Sequence, residues 1–103
     1  MTAMSGCVSI FANWYDRAIL ICGTGIGVSI SANKVRGIRC ALCTDPYSAQ
    51  MAREHNNVNA IALRARKVPL ESNRAILDSF FNAQFEGGRH QRRIDKMTAL
   101  ENA

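Results

Sequence analysis

In Cys22-Gly23-Thr24-Gly25-Ile26-Gly27 a cysteine stands directly before a run of alternating glycines, and this is the segment best equipped for chemistry. Successive backbone N–H groups in such a loop can converge on one point, and a helix opening after it adds its positive end. Both favour an anionic sulfur, which acts as base or nucleophile. The same N–H groups of Gly23 to Gly27, with the Thr24 hydroxyl as a further donor, can hold a small oxyanion. The alternative reading makes Cys22 a buried strand residue beside a structural turn. Nucleotide readings lose ground: Val28 stands where the third glycine of a dinucleotide fingerprint would fall, and no Gly-Lys-Ser/Thr follows as in a P-loop.

His55 is the better of the two histidines for acid–base work, since it ends a helix-like stretch and is followed by Asn56 and Asn57. Its bland alternative is a dipole partner at a helix C-terminus. Arg89 and Arg93 are four apart on a helix-like segment, share a face, and can clamp one phosphate by bidentate contacts. Cys40-Ala-Leu-Cys43 has CxxC spacing, but a zinc site needs two further ligands, and on a strand these side chains point to opposite faces. No metal is expected.

Positioning these groups needs a folded scaffold, and the chain supports one. Its 103 residues, 48% hydrophobic and 20% charged, fit a single globular domain over 1–103. The four cysteines, in strand-like runs without a secretory signal, read as reduced thiols. No apolar run approaches the roughly 20 residues of a membrane span, so a cytoplasmic protein is expected. The net charge of +5 arises largely from Arg64, Arg66 and Lys67, then Arg89, Arg92, Arg93 and Lys96. No aromatic residues interleave them as stacking platforms, so a compact anion fits better than a nucleic acid, and a solvated face remains the plain alternative.

Ala18 to Cys22 is a continuous apolar run ending in the glycine loop, the pattern of a buried parallel strand. Val28 to Lys34 has helical character, Arg39 to Thr44 reads as a second strand, and Asp45-Pro46 opens a helix to about His55. Val58 to Leu63 is a third strand. Pro69 opens a helix with an apolar stripe of Leu70, Ile76, Leu77, Phe80 and Phe81, which Gly87-Gly88 should stop. A last helix starts at Arg89, with Ile94, Met97 and Leu100 suited to docking on a partner subunit or on its own domain. The fold class is therefore α/β, a Rossmann-like three-layer α/β/α arrangement with a parallel sheet and a C-terminal helix. Met1 to Asp16 offers only an apolar, helix-like stretch from Val8 to Tyr15, and the N-terminal strand or strands of such a sheet are expected to be missing.

Tyr15-Asp16-Arg17-Ala18-Ile19-Leu20-Ile21-Cys22-Gly23-Thr24-Gly25-Ile26-Gly27, Ser31-Ala32-Asn33-Lys34 and Gly37-Ile38-Arg39 together resemble the central segment of the type B ribose-5-phosphate isomerases and their galactose 6-phosphate and allose 6-phosphate relatives. Downstream, Tyr47-Ser48-Ala49-Gln50, His55-Asn56, and Phe85-Glu86-Gly87-Gly88-Arg89-His90 with Arg93 continue the resemblance to about Leu100. The resemblance implies aldose–ketose isomerisation of a phosphorylated sugar through an enediolate, without metal or organic cofactor. Cys22 would remove the proton between C1 and C2, while the amides of Gly23, Gly25, Ile26 and Gly27, with Thr24, hold the enediolate oxygens. His55 would open the sugar ring, Asn56 would contact substrate beside it, and Arg66, Arg89 and Arg93 would bind chiefly the phosphate. Members of the family begin with a strand ending in an Asp-His pair, which this chain lacks, and Arg64 stands where glycine is common. These departures leave a noncatalytic remnant or interaction module as the alternative.

Topology adds one expectation. A helix returning between parallel strands runs opposite to them, which puts His55 at the end of the sheet away from Cys22. A homodimer, or a tetramer built from dimers, could bring His55 of one subunit to the Cys22 loop of another.

Overall fold

The central strand, Ala60–Arg64, alternates small and large apolar residues, which lets the sheet accept helices on both faces. A computed structural model of the chain describes the backbone of Ser9–Ala12 and residues 17–102. In chain order the elements are β1 (Ser9–Ala12), β2 (Ala18–Cys22), α1 (Ile26–Asn33), β3 (Cys40–Leu42), α2 (Pro46–Asn56), β4 (Ala60–Arg64), α3 (Leu70–Asn82) and α4 (Arg89–Ala99), closed by a 3-10 turn at Leu100–Asn102. The sheet order is β1-β2-β4-β3. β2, β4 and β3 are parallel, with Cys22 opposite Arg64 and Cys40 opposite Ala60. No helix among the described residues is long and apolar enough to cross a membrane.

β4 is the spine. Ala60, Ile61, Ala62 and Leu63 are each fully buried, as expected of a central strand covered on both faces. Successive side chains alternate, so Ala60 and Ala62 face α1 with Ala18, Leu20, Val28 and Ala32, while Ile61 and Leu63 face α2 and α3 with Ile76 and Phe80. Small residues on one side let α1 lie close; large ones fill the wider space on the other. Cys40 packs with the α1 layer and Cys43 with the α2–α3 layer, the opposite orientation expected from their odd spacing.

Helix starts follow the local chemistry. Asp45 caps α2 by accepting from the Ser48 N–H at 2.7 Å and the Ser48 hydroxyl at 2.9 Å, with Pro46 in the first turn. Asn57, at φ 46°, ends the helix in a left-handed conformation that asparagine tolerates.

Several boundaries differ from those the sequence suggests. The Val8–Tyr15 stretch contains β1, a strand rather than a helix, paired antiparallel along the outer edge of β2. That pairing supplies an edge partner for Ala18–Cys22. α3 stops at Asn82, well before Gly87-Gly88, because Ala83 turns extended at ψ 152°. Within its apolar stripe, Ile76 and Phe80 are buried, whereas Leu70 and Phe81 are exposed. On α4, Ile94 packs on its own domain while Met97 remains exposed, as does Leu100 in the 3-10 turn that follows.

Candidate active site

The Cys22 loop sits beyond the carboxyl end of β2, where ligands bind in open α/β sheets. The Gly25 N–H donates to Cys22 Sγ at 3.2 Å, so the loop turns a backbone donor onto the sulfur. Thr24 Oγ1 accepts from the Ile26 N–H at 3.3 Å, which leaves the hydroxyl proton free to donate outward. The Ser29 N–H donates to the Gly25 carbonyl, which starts the helical ladder and leaves the Gly27 and Val28 amides as first-turn donors without intrahelical partners.

Glycine is required at position 25 twice over. Its φ is +78°, and a Cβ there would come within 2.5 Å of Leu42 Cδ1 and 3.1 Å of the Leu63 backbone. Gly27 is different, with open space around the position of an added Cβ. The close seat of Gly25 against β3 and β4 lets the loop turn tightly; the openness at Gly27 keeps the front of α1 clear.

The β4–α3 connection brings Arg66 to this loop. The Ala65 N–H donates to the Cys22 carbonyl at 2.9 Å and the Arg66 N–H to the Gly23 carbonyl at 3.1 Å, extending the β2–β4 ladder past the sheet. The Arg66 guanidinium lies against Gly23, whose added Cβ would be 3.1 Å from Nε. Arg64, the departure from the expected glycine, ends β4 in regular register, and its carbonyl accepts from Asn73 Nδ2 at 2.9 Å. It does not take a positive φ, so the arginine introduces no left-handed strain there.

The remaining candidates gather elsewhere. His55 is in the last turn of α2, and that end of the helix leads through Asn57 to the start of β4. From Ala60 to Arg64 the strand advances by about 13 Å at roughly 3.3 Å per residue, which separates His55 from the Cys22 end. The His55 ring stacks on that of His90 at 4.2 Å with 10° between the planes, and Glu86 Oε1 lies 3.8 Å from His55 Nε2 and 3.4 Å from His90 Nε2. The Glu86 N–H donates to the Glu54 carbonyl at 3.0 Å, which pins this loop to α2. Arg89 and Arg93 follow on the exposed side of α4, whose inner side buries His90 and Ile94. Asn56 is exposed, and its carbonyl accepts from Arg39 Nε at 3.3 Å.

The candidates thus form two groups in one chain: Cys22, Gly23, Thr24, Gly25, Ile26, Gly27 and Arg66 at one end of the sheet, and His55, Asn56, Arg89 and Arg93 toward the other. A cleft of about 690 Å³, lined by Arg39, Cys40, Asn56, Met97 and Leu100 among others, does not include Cys22 or Arg66. Sequence reasoning singled out neither Glu86 nor His90. Their i, i+4 spacing was the available signal, blurred by two intervening glycines at φ +73° and +60°.

The ribose/galactose isomerase profile matches residues 2–97. This chain belongs to the ribose/galactose isomerase family. It is 54% identical over 86 residues to ribose-5-phosphate isomerase B of Escherichia coli, an alignment covering 84% of this chain and 58% of the relative. Among solved structures, it resembles ribose-5-phosphate isomerase B of Clostridium thermocellum with a TM-score of 0.83 and 52% identity, over 84% of this chain and 59% of that one. The Mycoplasma genitalium enzyme, solved with bound ribulose 5-phosphate, matches with a TM-score of 0.79 and 51% identity, over 82% of this chain and 55% of that one. The chain therefore spans less than two thirds of the length of these relatives. The Rossmann-like layers and parallel β2-β4-β3 core are those of this family of sugar-phosphate isomerases.

Proposed function

We propose that this chain, as one domain of a cytoplasmic homodimer, carries both halves of a composite site for aldose–ketose isomerisation of a phosphorylated sugar. The observation that carries this reading is the Gly25 N–H directed at Cys22 Sγ at the carboxyl end of β2, with Arg66 held across Gly23. Abstraction of a carbon-bound proton needs a poised base, the developing oxyanion needs fixed donors, and a phosphate dianion needs arginine.

In this reaction the Cys22 thiolate takes the C2 proton of the open-chain aldose. The C2–H electron pair becomes the C1=C2 bond, and the former carbonyl oxygen takes the negative charge. The open amides of the loop and the Thr24 hydroxyl face that charge. Cys22 then returns the proton to C1, and the C2 hydroxyl proton passes to the C1 oxygen, giving the ketose. His55, from the partner subunit, opens the sugar ring beforehand by moving a proton between the anomeric hydroxyl and the ring oxygen, with Asn56 contacting substrate beside it. Arg66 meets the phosphate from one chain, and Arg89 and Arg93 meet it from the other. The separation of His55 from Cys22 within a chain supports the two-subunit site. No metal or organic cofactor enters these steps.

A second reading rests on β1: this edge strand runs antiparallel to β2, and the chain carries no Asp-His pair. On that reading the chain keeps the fold for assembly without turnover. Coupled-assay turnover of ribose 5-phosphate and allose 6-phosphate by this chain, beside a fusion carrying a family-like strand ending in Asp-His, separates the two. Isomerase activity in the fusion, lost about 10²–10⁴-fold in its Cys22→Ala variant, is the expected result. An inactive fusion, or one indifferent to Cys22→Ala, overturns the catalytic reading.

A further inference from the structure

His55, Glu86 and His90 stand together although they belong to three different segments: the end of α2, the α3–α4 connection and the first turn of α4. Their ligand atoms all lie within 4.8 Å of one another. The two contacts to Glu86 Oε1, at 3.4 and 3.8 Å, are long for charge-assisted hydrogen bonds, which close to about 2.7–2.9 Å. The 3.4 Å separation of His90 from Glu86 matches the edge of a tetrahedron around a cation with bonds of about 2.0–2.1 Å, an edge of roughly 3.3 Å, and the 3.8 Å separation of His55 exceeds it by about half an ångström. We propose that these three side chains form a binding site for a borderline divalent cation of the zinc class, with two imidazoles and one carboxylate as ligands and a fourth position open to solvent.

The backbone holds the ligands independently of any ion. The His90 side chain is nearly buried, at 10% exposed, and the backbone N–H of His90 donates to the Gly87 carbonyl at 3.1 Å. Glu86 is pinned through its own N–H to the Glu54 carbonyl. His55 is the adjustable member, with a side chain 39% exposed. Because the ring planes are within 10° of parallel and their centroids 4.2 Å apart, the Nε2 lone pairs lie in separate, nearly parallel planes, so convergence on one ion requires the His55 ring to turn about its Cβ–Cγ bond. That torsion is broad and costs little. Two imidazoles with one carboxylate is a donor set that zinc accepts with one position left open. Hard cations that prefer all-oxygen shells fit it poorly. Among the described residues no cysteine completes this site: Cys40 and Cys43 pack on opposite faces of the sheet, and Cys22 is at the far end of the strands.

An ion here would engage His55 through the nitrogen that faces Glu86. If His55 opens the sugar ring as proposed above, the ion is an inhibitor rather than a cofactor, and that consequence alone rests on the catalytic reading.

The test is calorimetric titration of the purified, tag-free chain with zinc chloride in buffer without thiols or phosphate. One saturable zinc per chain is expected, weakened at least tenfold by Glu86→Gln and by His55→Ala, and retained in Cys22→Ser and Cys7→Ser. Far-ultraviolet circular dichroism of each variant checks that the fold persists. Cobalt(II) in place of zinc should give the intense visible bands of four-coordination, lost in Glu86→Gln. The proposal is overturned if the chain takes up no zinc up to about 1 mM. It is equally overturned if binding survives both Glu86→Gln and His55→Ala in folded protein. Neither result depends on isomerase turnover, so the site can fail while the catalytic reading stands.

Discussion

Gly23 and Arg66 are in contact across the top of the sheet: a methyl group on Gly23 would lie 3.1 Å from Arg66 Nε and 3.2 Å from Cζ. The absence of a side chain at Gly23 is what lets the guanidinium lie over the turn that follows Cys22. In the active form, Gly23→Ala should displace the arginine by a few tenths of an ångström and raise KM for the sugar phosphate more than it lowers kcat. Arg66→Lys should have a larger effect of the same kind, about tenfold or more in KM, because an ammonium cannot present the planar fork. Steady-state kinetics of both variants checks this. A fall in kcat at constant KM would remove Arg66 from phosphate binding.

Gly25 and Gly27 should separate stability from catalysis. Gly25→Ala forces a Cβ onto Leu42 and the Leu63 backbone at a φ of +78°, and it should cost at least about 1–2 kcal/mol in urea unfolding. Gly27→Ala meets open space inside the first turn of α1 and should leave stability unchanged or raise it by up to about 1 kcal/mol. If that space receives the substrate, Gly27→Ala nevertheless lowers kcat/KM. A Gly27→Ala enzyme with unaltered kinetics would show that the space stays open during turnover.

Burial, with a smaller contribution from Cys43, pushes the Cys40 thiol up to about 12, and burial followed by Asp45 pushes Cys43 up to about 11. Both groups stay protonated in the folded chain at a pH where the unfolded chain releases its protons. Above about pH 9 the unfolded state therefore binds fewer protons than the folded one, and stability falls as pH rises toward 11 and 12; below 9 neither thiol contributes a pH dependence. Urea midpoints measured from pH 8 to 11 should decline, and Cys40→Ala should reduce the slope. A slope unaffected by that substitution would mean that Cys40 is hydrated in the folded state.

The parts of this fold legible from sequence are those set by local chemistry. Ala18–Cys22 can be placed to the residue because a charged residue precedes it and a glycine loop follows, and α2 because Asp45-Pro46 supplies both a side-chain cap and a fixed φ. β1 was not legible: Ser9–Ala12 has no decisive period of its own, and its pairing with β2 is a tertiary choice. The end of α3 was missed for a related reason. Gly87-Gly88 is a plausible stop by composition, but the helix ends where Ala83 turns extended, and the non-helical residues 83–87 carry Glu86 to the Glu54 carbonyl and to the two histidines. At the site, the place of the Cys22 loop beyond the carboxyl end of its strand could be read from its glycines, and the separation of His55 from it from the direction of α2. The contact between Gly23 and Arg66 could not, since it depends on how the β4–α3 turn folds back over β2.

The claim that Cys22 of one subunit works with His55 of another is tested most directly by mixing. Each of the single variants Cys22→Ala and His55→Ala, made in the form that turns over, should be inactive alone. In a two-fold dimer, half of a randomly exchanged equal mixture is hybrid, and each hybrid has one site with both residues intact, so about one quarter of the parental turnover should return. No recovery, in mixtures shown by mass spectrometry to have exchanged subunits, would contradict the account and place a complete site within each chain.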